Sequence, residues 1–310
     1  MTKLGTSDLD VSRLCLGGNV FGWTADERTS FAVLDAFVAA GGNFVDTADA
    51  YSAWAEGHTG GESETIIGRW LRARGNRDRV VVATKVGMLG GLDDLRAGTV
   101  ERAAEDSLRR LGVDHIDLYY AHQDDPDTPQ EETLAAFDRL VTSGKVRHVA
   151  ASNYTADRLA SALAVSEREG FARFVALQQA YNLVDRSYEG ELSRAVADHG
   201  LSSAPYWGLA KGFLTGKYRP GVAVESARAA AASKYLDERG LRVLAALDEV
   251  AEARGATQSA VALAWLAQQP TVAAPIASAR TTEQLADLLP ALELELGADE
   301  VEALTTASRV

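Results

Sequence analysis

The sequence lacks the features that mark secreted and membrane proteins. Its single cysteine, Cys15, cannot form an internal disulfide, which fits a reducing compartment. It contains no run of about 18 apolar residues, so it predicts no membrane-spanning helix. The first ten residues, MTKLGTSDLD, lack the apolar core of a signal peptide. We therefore expect a soluble cytoplasmic protein.

Positive charge is also scarce. The chain has 31 Lys and Arg residues against 44 Asp and Glu residues, for a formal net charge of -13. That balance gives no electrostatic footprint for nucleic acid or for an anionic membrane. We predict a small-molecule partner instead, and the sequence leaves the oligomeric state open.

What the sequence does contain is one pattern repeated along its length. Short apolar runs rich in β-branched residues recur eight times, at 14–18, 43–46, 80–85, 116–122, 146–152, 175–179, 202–206 and 272–278. Segments of helical period separate them. Runs that are apolar throughout are typical of parallel strands buried on both faces. The pattern therefore predicts a (β/α)8 TIM barrel that forms a single domain over residues 1–310.

An open, doubly wound sheet is the competing fold. It would need a glycine-rich phosphate loop after an early strand, but the segment at 16–22, LGGNVFG, does not match G-x-G-x-x-G. The first 14 residues carry turn signals between apolar positions. They predict a β-hairpin that closes the bottom of the barrel.

Two helices carry recognisable end signals. Gly112 follows an apolar face that ends at Leu111, where a C-terminal cap is expected. For the next helix, the segment TPQEETL predicts Thr128 as N-cap with Glu131 in a capping box, and Gly144 as the terminator.

Four polar side chains fall at the ends of successive predicted strands. Asp46 ends the second strand, with Tyr51 just beyond it; Lys85 ends the third strand and His122 the fourth. Each has a structural explanation when taken alone. Because the carboxyl ends of barrel strands meet at one mouth, the four together favour an active site.

The same four residues make chemical sense as a proton donor. A phenol, with a pKa of about 10, gives up its proton poorly at neutral pH unless a cation stabilises the phenolate. Lys85 can be that cation, and Asp46 can keep Lys85 charged and oriented. His122 would then position a carbonyl. Such a donor suits carbonyl reduction, for which a cofactor must supply the hydride.

Nearly the whole chain resembles the aldo-keto reductase superfamily. The motifs that carry the resemblance are NFVDTADAYS, GGESETIIGRWL, VVVATKVG, HIDLYYAHQDD, GKVRHVAASNYT, LQQAYNLVDR, YWGLAKGFLTGKYR and SARTTEQL. The resemblance implies an enzyme that depends on NAD(P)H. It also implies a catalytic tetrad in which Tyr51 is the acid, Lys85 and Asp46 tune it, and His122 orients the carbonyl.

The resemblance also implies residues that bind NADPH. Ser152, Asn153 and Gln178 match those that hold the nicotinamide amide, and Tyr206 matches the aromatic side chain that stacks on the nicotinamide ring. The alternative for Ser152 and Asn153 is an ordinary helix start.

A later loop and the last barrel helix complete the implied cofactor site. The residues that match the loop along the pyrophosphate are Leu209, Gly212, Thr215, Gly216 and Lys217. Ser278, Arg280 and Gln284 match the residues around the 2′-phosphate. The family usually carries a Glu-Asn pair at the adenine, where this chain has Asp287 and Leu288.

The substrate is left open. Trp23 and Trp54 are candidate substrate-binding residues at the rim, with core packing as the alternative, and residues 220–235 form either a mobile flap or a helical connection. An aromatic, uncharged mouth suggests aldehydes, ketones or sugar-like carbonyls. The alternative function is a nucleotide-binding regulatory subunit, because the superfamily includes proteins that modulate a membrane channel.

No metal site is expected, so activity should survive exhaustive chelation. The five histidines show no H-x-x-x-H spacing, and Asp124 and Asp125 near His122 are interpreted as solvated loop residues. Turnover measured before and after dialysis against a chelator should be equal. Activity lost to the chelator and restored by zinc or magnesium would contradict this prediction.

Overall fold

The computed structural model describes residues 1–226 and 228–309. The chain begins with an antiparallel hairpin of β1 (Thr2–Lys3) and β2 (Asp10–Val11). Leu4, Leu9 and Val11 of this hairpin are buried in a cluster with side chains of the barrel interior. The hairpin therefore plugs the barrel, as predicted.

Eight parallel strands follow and form the barrel wall. They are β3 (Cys15–Gly17), β4 (Phe44–Asp46), β5 (Val81–Val86), β6 (Ile116–Ala121), β7 (Val146–Ser152), β8 (Phe174–Gln178), β9 (Ser202–Ser203) and β10 (Ile276–Ala277). Neighbours pair in chain order, and β10 pairs with β3. On the other side, a parallel bridge from Ser203 to Val272 completes the ring. Each predicted run overlaps one strand, so the predicted (β/α)8 barrel is confirmed.

Helices lie between the strands and after the last one. They are α1 (Glu27–Ala39), α2 (Glu62–Arg74), α3 (Ala97–Leu111), α4 (Gln130–Thr142), α5 (Ala156–Glu169), α6 (Glu191–Asp198), α7 (Ala229–Ala232), α8 (Glu238–Arg254), α9 (Gln258–Ala267), α10 (Thr282–Ala286) and α11 (Ala298–Ala307). Short 3-10 turns cover Arg77–Arg79, Ala210–Thr215, Ser233–Tyr235 and Leu289–Leu292. The helices bury their apolar faces against the strands in one large core.

The predicted glycine terminators are confirmed, but the predicted N-cap of α4 is wrong. Gly112 caps α3 in the left-handed region at φ 64°, and Gly144, at φ 75°, follows the last residues of α4. The N-cap of α4 is Pro129. The Thr128 hydroxyl instead donates to the carboxylate of Asp125, a charge-assisted bond that competes with capping. Glu131 makes no capping box and pairs with Arg168.

The segment from 220 to 235 is helical in its second half. It contains α7 and the turn at Ser233–Tyr235, and Ala232 is buried in the core. Ala227, which falls within this segment, lies outside the described residues. The chain here is therefore a helical connection over residues 229–235, one of the two alternatives.

No helix in the described part of the chain is both long enough and apolar enough to cross a membrane.

Helix α2 packs against the end of α3 through Gly68. A methyl group at Gly68 would lie 2.4 Å from the carbonyl oxygen of Leu111 and 2.5 Å from that of Arg110. Both neighbours are main-chain atoms, which cannot rotate away. The absence of a side chain at Gly68 therefore sets how closely the two helices approach.

We expect Gly68→Ala to destabilise the protein by about 1–3 kcal/mol, because overpacking outweighs the gain in helix propensity. Gly98→Ala is the matched control: Gly98 lies in α3, is exposed, and has open space at its Cβ position. That control should be neutral or stabilise by up to about 1 kcal/mol. Urea unfolding measures both. A Gly68→Ala protein as stable as the control would contradict the packing argument.

Candidate active site

The four predicted polar residues meet at the carboxyl ends of neighbouring strands. Asp46 is the last residue of β4, and Lys85 is the penultimate residue of β5. His122 directly follows β6, and its backbone N–H donates to Val86. Tyr51 comes from the turn after β4. Strand pairing alone brings together residues that are up to 76 positions apart (122 minus 46).

The Lys85 ammonium group is the centre of this group. It is fully buried and lies 2.7 Å from both carboxylate oxygens of Asp46. It also donates to the carbonyl oxygen of Thr47 at 2.7 Å and to the phenol oxygen of Tyr51 at 3.0 Å. A buried charge of this kind is stable only when it is paired and hydrogen-bonded. Asp46 and the turn after β4 meet that requirement.

The Tyr51 phenol is shared between a cation and an anion. Its oxygen accepts from Lys85, and its hydroxyl donates to Asp46 Oδ2 at 3.1 Å. Burial, together with the charge and hydrogen bond of Asp46, raises the pKa of Tyr51 well above its usual value. In the protein alone, burial and Asp46 therefore determine the direction of this shift. The phenol stays protonated across the physiological range.

His122 faces the same space as a neutral imidazole. Burial, with a smaller contribution from the charge of Lys85, lowers the pKa of His122 well below its usual value. Its Nδ1 atom is buried and has no hydrogen-bond partner among the described residues. The imidazole and the Tyr51 ring lie 6.1 Å apart, centre to centre. A neutral His122 can therefore donate one hydrogen bond without repelling Lys85.

A second set of polar residues lines the next strand ends. Ser152 ends β7, and Gln178 ends β8 and donates from Nε2 to Asp46 Oδ1 at 2.9 Å. Asn153, in the left-handed region at φ 57°, donates to the His122 carbonyl oxygen and to Ser152 Oγ. Its amide oxygen accepts from the Tyr206 hydroxyl at 2.7 Å. The implied nicotinamide residues thus adjoin the tetrad in one network.

The implied pyrophosphate loop runs from Leu209 through Lys217. It folds as a kinked 3-10 turn, with Gly212 at φ 95° and Gly216 at φ 79°. The Thr215 hydroxyl donates to the Gly212 carbonyl oxygen and keeps the turn closed. A side chain on Gly212 would point at the Lys217 ammonium, 3.9 Å away. The lysine therefore lies over exposed main chain, an arrangement typical of anion sites.

Three cations converge beside this loop. The pKa of Lys217 is lowered by burial and by the charges of Arg280 and Arg228. The pKa of Arg228 is lowered by burial and by Arg280. No carboxylate within residues 1–226 and 228–309 contributes to either shift. Three mutually repelling cations in a chain of net charge -13 indicate a site for an anion.

Arg228 is a residue that the sequence motifs missed. It lies in a stretch of small residues that matches no motif, immediately before α7. Tyr51 also contributes to its pKa, so its guanidinium lies within electrostatic range of both Tyr51 and Arg280. The one available signal was an isolated arginine in a segment that is otherwise small and apolar.

The remaining cofactor candidates lie at the barrel's closing strand. Ser278 follows β10 and donates to Asn19. Gln284 is in the first turn of α10, where its side-chain oxygen accepts from the Arg280 backbone N–H at 3.0 Å. Asp287 caps the end of α10, and Leu288 is buried in the core. Leu288 therefore packs inside the protein instead of presenting a polar group at the surface.

The candidate substrate residues form an aromatic pair at the mouth. The rings of Trp23 and Trp54 meet edge to face, 5.5 Å apart, and Trp54 lies 6.1 Å from the Tyr51 ring. Trp54 is 52% exposed. Both side chains therefore lie next to the tetrad, and Trp54 borders solvent instead of filling the core.

The acidic residues near His122 are engaged in the fold. Asp124 holds the Arg158 guanidinium with both oxygens, and Asp125 accepts from the backbone of Leu95. Their interpretation as solvated loop residues was wrong, because both tie neighbouring loops and helices together. No cluster of three His, Cys, Asp or Glu side chains able to hold a metal occurs in the described part of the chain.

Comparison with known proteins places these features in one family. The sequence matches the aldo/keto reductase family over residues 13–309. It is 38% identical to the uncharacterized oxidoreductase YrpG of Bacillus subtilis, over 95% of this chain and 91% of the relative. It is 32% identical to protein tas of Escherichia coli, over 97% and 96% of the two chains.

One fungal relative is named after its substrate. The norsolorinic acid reductase stcV of Emericella nidulans is 33% identical, over 94% of this chain and 76% of the relative. These matches cover almost the whole barrel, including every strand that contributes to the candidate site. The chain is therefore an oxidoreductase of the aldo/keto reductase family.

Proposed function

We propose that this protein is an NADPH-dependent oxidoreductase that reduces an aldehyde or ketone carbonyl to an alcohol, with Tyr51 as the proton donor. The observation that carries the proposal is the hydrogen-bonded group of Tyr51, Lys85 and Asp46 at the barrel mouth. A buried ammonium group bonded to a phenol is an arrangement suited to general acid catalysis.

Tyr51 would be protonated before the reaction and would act as the acid. Its raised pKa keeps the proton on the phenol until a stronger base forms beside it. An alkoxide developing on the substrate oxygen is such a base. As the proton leaves Tyr51, the Lys85 ammonium, already 3.0 Å from the phenol oxygen, stabilises the phenolate. Asp46 keeps that ammonium charged and in place.

His122 would orient the substrate carbonyl. Because its imidazole is neutral, it offers a single N–H donor without adding a second cation next to Lys85. A hydrogen bond from His122 and one from Tyr51 would converge on the same carbonyl oxygen. Two donors aimed at one oxygen stabilise the negative charge that develops there.

The donor groups fit a dinucleotide with a 2′-phosphate. Bound NADPH would supply the hydride. Lys217, Arg228 and Arg280 supply three cations with no carboxylate partner among the described groups, which suits phosphate anions.

At the other end of the proposed cofactor site, the amides of Asn153 and Gln178, the Ser152 hydroxyl and the Tyr206 ring would hold the nicotinamide. The ring of Tyr206 would offer its face for stacking.

The substrate class follows from the rim. The Trp23–Trp54 pair gives the mouth an apolar, aromatic wall beside Tyr51, which favours a carbonyl attached to an uncharged group. The relatives reported above include enzymes named as reductases or oxidoreductases, and none is named as a channel subunit. They give no support to the alternative of a regulatory protein.

Tyr51→Phe should lower kcat by about 10²–10⁴-fold, because it removes the proton donor and a single oxygen atom. NADPH binding and folding should be unaffected. Tyr188→Phe is the matched control, since it removes a buried hydroxyl that bonds Thr271. Steady-state reduction of a panel of aldehydes and ketones measures both. Retention of more than about a tenth of kcat in Tyr51→Phe would remove this residue from the role.

Arg280 should confer a preference for NADPH over NADH of about tenfold to a hundredfold. A guanidinium bonds a 2′-phosphate with charge assistance, a contribution of about 1.5–3 kcal/mol, and finds no anion on the ribose hydroxyl of NADH. Arg280→Ala should lose kcat/KM mainly with NADPH. Arg242→Ala, which alters an exposed arginine paired with Glu238, is the control. An equal loss with both cofactors would overturn the assignment.

A further inference from the structure

Asp49 is a fully buried carboxyl group that the proposed mechanism does not use. It lies three residues after Asp46 and two before Tyr51, and it is 0% exposed. Neither carboxyl oxygen has a side-chain hydrogen-bond partner within residues 1–226 and 228–309. An ionised carboxylate in that position would be strongly destabilising. The geometry therefore favours the neutral acid.

The nearest anion reinforces this preference. Glu64 of α2 is also buried, and its two oxygens accept from the Thr84 hydroxyl and from Arg110 of α3. Because Arg110 is already paired with Glu64, it attracts the Asp49 carboxylate only weakly. Asp49 thus faces a negative charge whose partner is engaged elsewhere.

The charged and titratable groups around Asp49 come from four elements. Glu64 and Arg110 come from α2 and α3, Lys85 comes from β5, and Tyr119 comes from β6. The Tyr119 hydroxyl is itself buried and lacks a partner among the described residues. Burial first, and Glu64 second, raise the pKa of Asp49 to about 7, against the opposing effects of the Arg110 charge, the backbone N–H of Ala50 and the Lys85 charge.

The backbone connects Asp49 to the proposed catalytic group. Its N–H points to the carbonyl oxygen of Lys85 at 3.4 Å, and the next turn bond runs from the Tyr51 N–H to Ala48. Asp49 therefore belongs to the hydrogen-bonded turn that carries Tyr51, and its side chain is buried there. A charge on that side chain would either draw water into the turn or hold a second anion near Lys85. Both effects weaken Tyr51 as an acid.

We propose that Asp49 is a positioning residue for the reaction: it is a neutral carboxylic acid buried within the turn that presents Tyr51 to Lys85, and its ionisation disturbs that turn. The proposal rests on the proposed function, since it concerns the same proton donor. It predicts an alkaline loss of activity that belongs to Asp49 and not to Tyr51, whose own titration is shifted far upward.

The same ionisation affects folding stability. An aspartate in the unfolded chain titrates at its ordinary pKa of 3.8, whereas Asp49 in the folded protein titrates at about 7. The folded state therefore binds one more proton between these values. Its contribution to stability is complete below pH 3.8 and is lost as pH rises to about 7. Asp49→Asn, which cannot ionise, lacks this component.

The experiment compares pH profiles of kcat from about pH 5 to pH 9. In the wild type, kcat should fall roughly tenfold between pH 6 and pH 8, because about a tenth of Asp49 stays neutral at one unit above its pKa. In Asp49→Asn the same interval should change kcat less than about twofold. Asp127→Asn, the same change in an exposed mouth loop, should keep the wild-type profile.

Glu64→Gln provides an independent second variant. Removing this negative charge leaves Arg110 to attract Asp49, so the pKa of Asp49 should fall and the alkaline loss should begin at lower pH. A move to higher pH, or no move, would overturn the proposal. This test remains valid even if Asp49→Asn fails to fold, because Glu64→Gln retains Asp49 and its pH profile reports the ionisation of that residue.

Thermal unfolding separates this inference from the proposed function. If no carbonyl substrate is turned over, the function fails, while the pH dependence of Tm for wild type, Asp49→Asn and Glu64→Gln still shows whether Asp49 ionises near neutrality. If turnover occurs and Asp49→Asn keeps the wild-type pH profile, the positioning role fails and the function stands.

Discussion

The rest of the site depends on keeping the Lys85 ammonium charged inside the barrel. A lysine with no exposed surface must be paired, and Asp46 supplies both carboxylate oxygens at 2.7 Å. That requirement explains why an aspartate ends β4 directly beside β5, and why Tyr51 lies close enough to share both partners. The barrel favours this pairing, because the register of β4 and β5 places the two side chains side by side.

A second constraint operates a short distance away. Lys217, Arg228 and Arg280 repel one another in the protein alone, which costs stability unless an anion joins them. This unfavourable arrangement in a strongly acidic chain is what a site for a phosphate-bearing cofactor would be expected to show. The aromatic pair and the neutral imidazole of His122, by contrast, add no charge beside Tyr51.

The protein buries a second aspartate close to Asp46. Asp46 has a cation of its own, whereas Asp49, three residues later, has none and faces Glu64. Two aspartates three residues apart thus lie in different electrostatic surroundings, and for Asp49 burial and Glu64 raise the pKa. Such pairs of acids in different environments are common where proton transfer is arranged.

The sequence by itself determined the eight strands, the hairpin and the strand-end positions of Asp46, Lys85 and His122. Apolar periodicity is a local signal, and eight alternating strand and helix segments close into a barrel in chain order. It did not determine the start of α4, where the Thr128 hydroxyl bonds Asp125. The approach of Arg228 to Lys217 and Arg280, the burial of Asp49 and the net upward pKa shift of Tyr51 were likewise decided by the tertiary structure. Each depends on which charges and carbonyl groups surround a side chain in space. That environment is set by residues from different strands and helices, so no local pattern in the sequence encodes it.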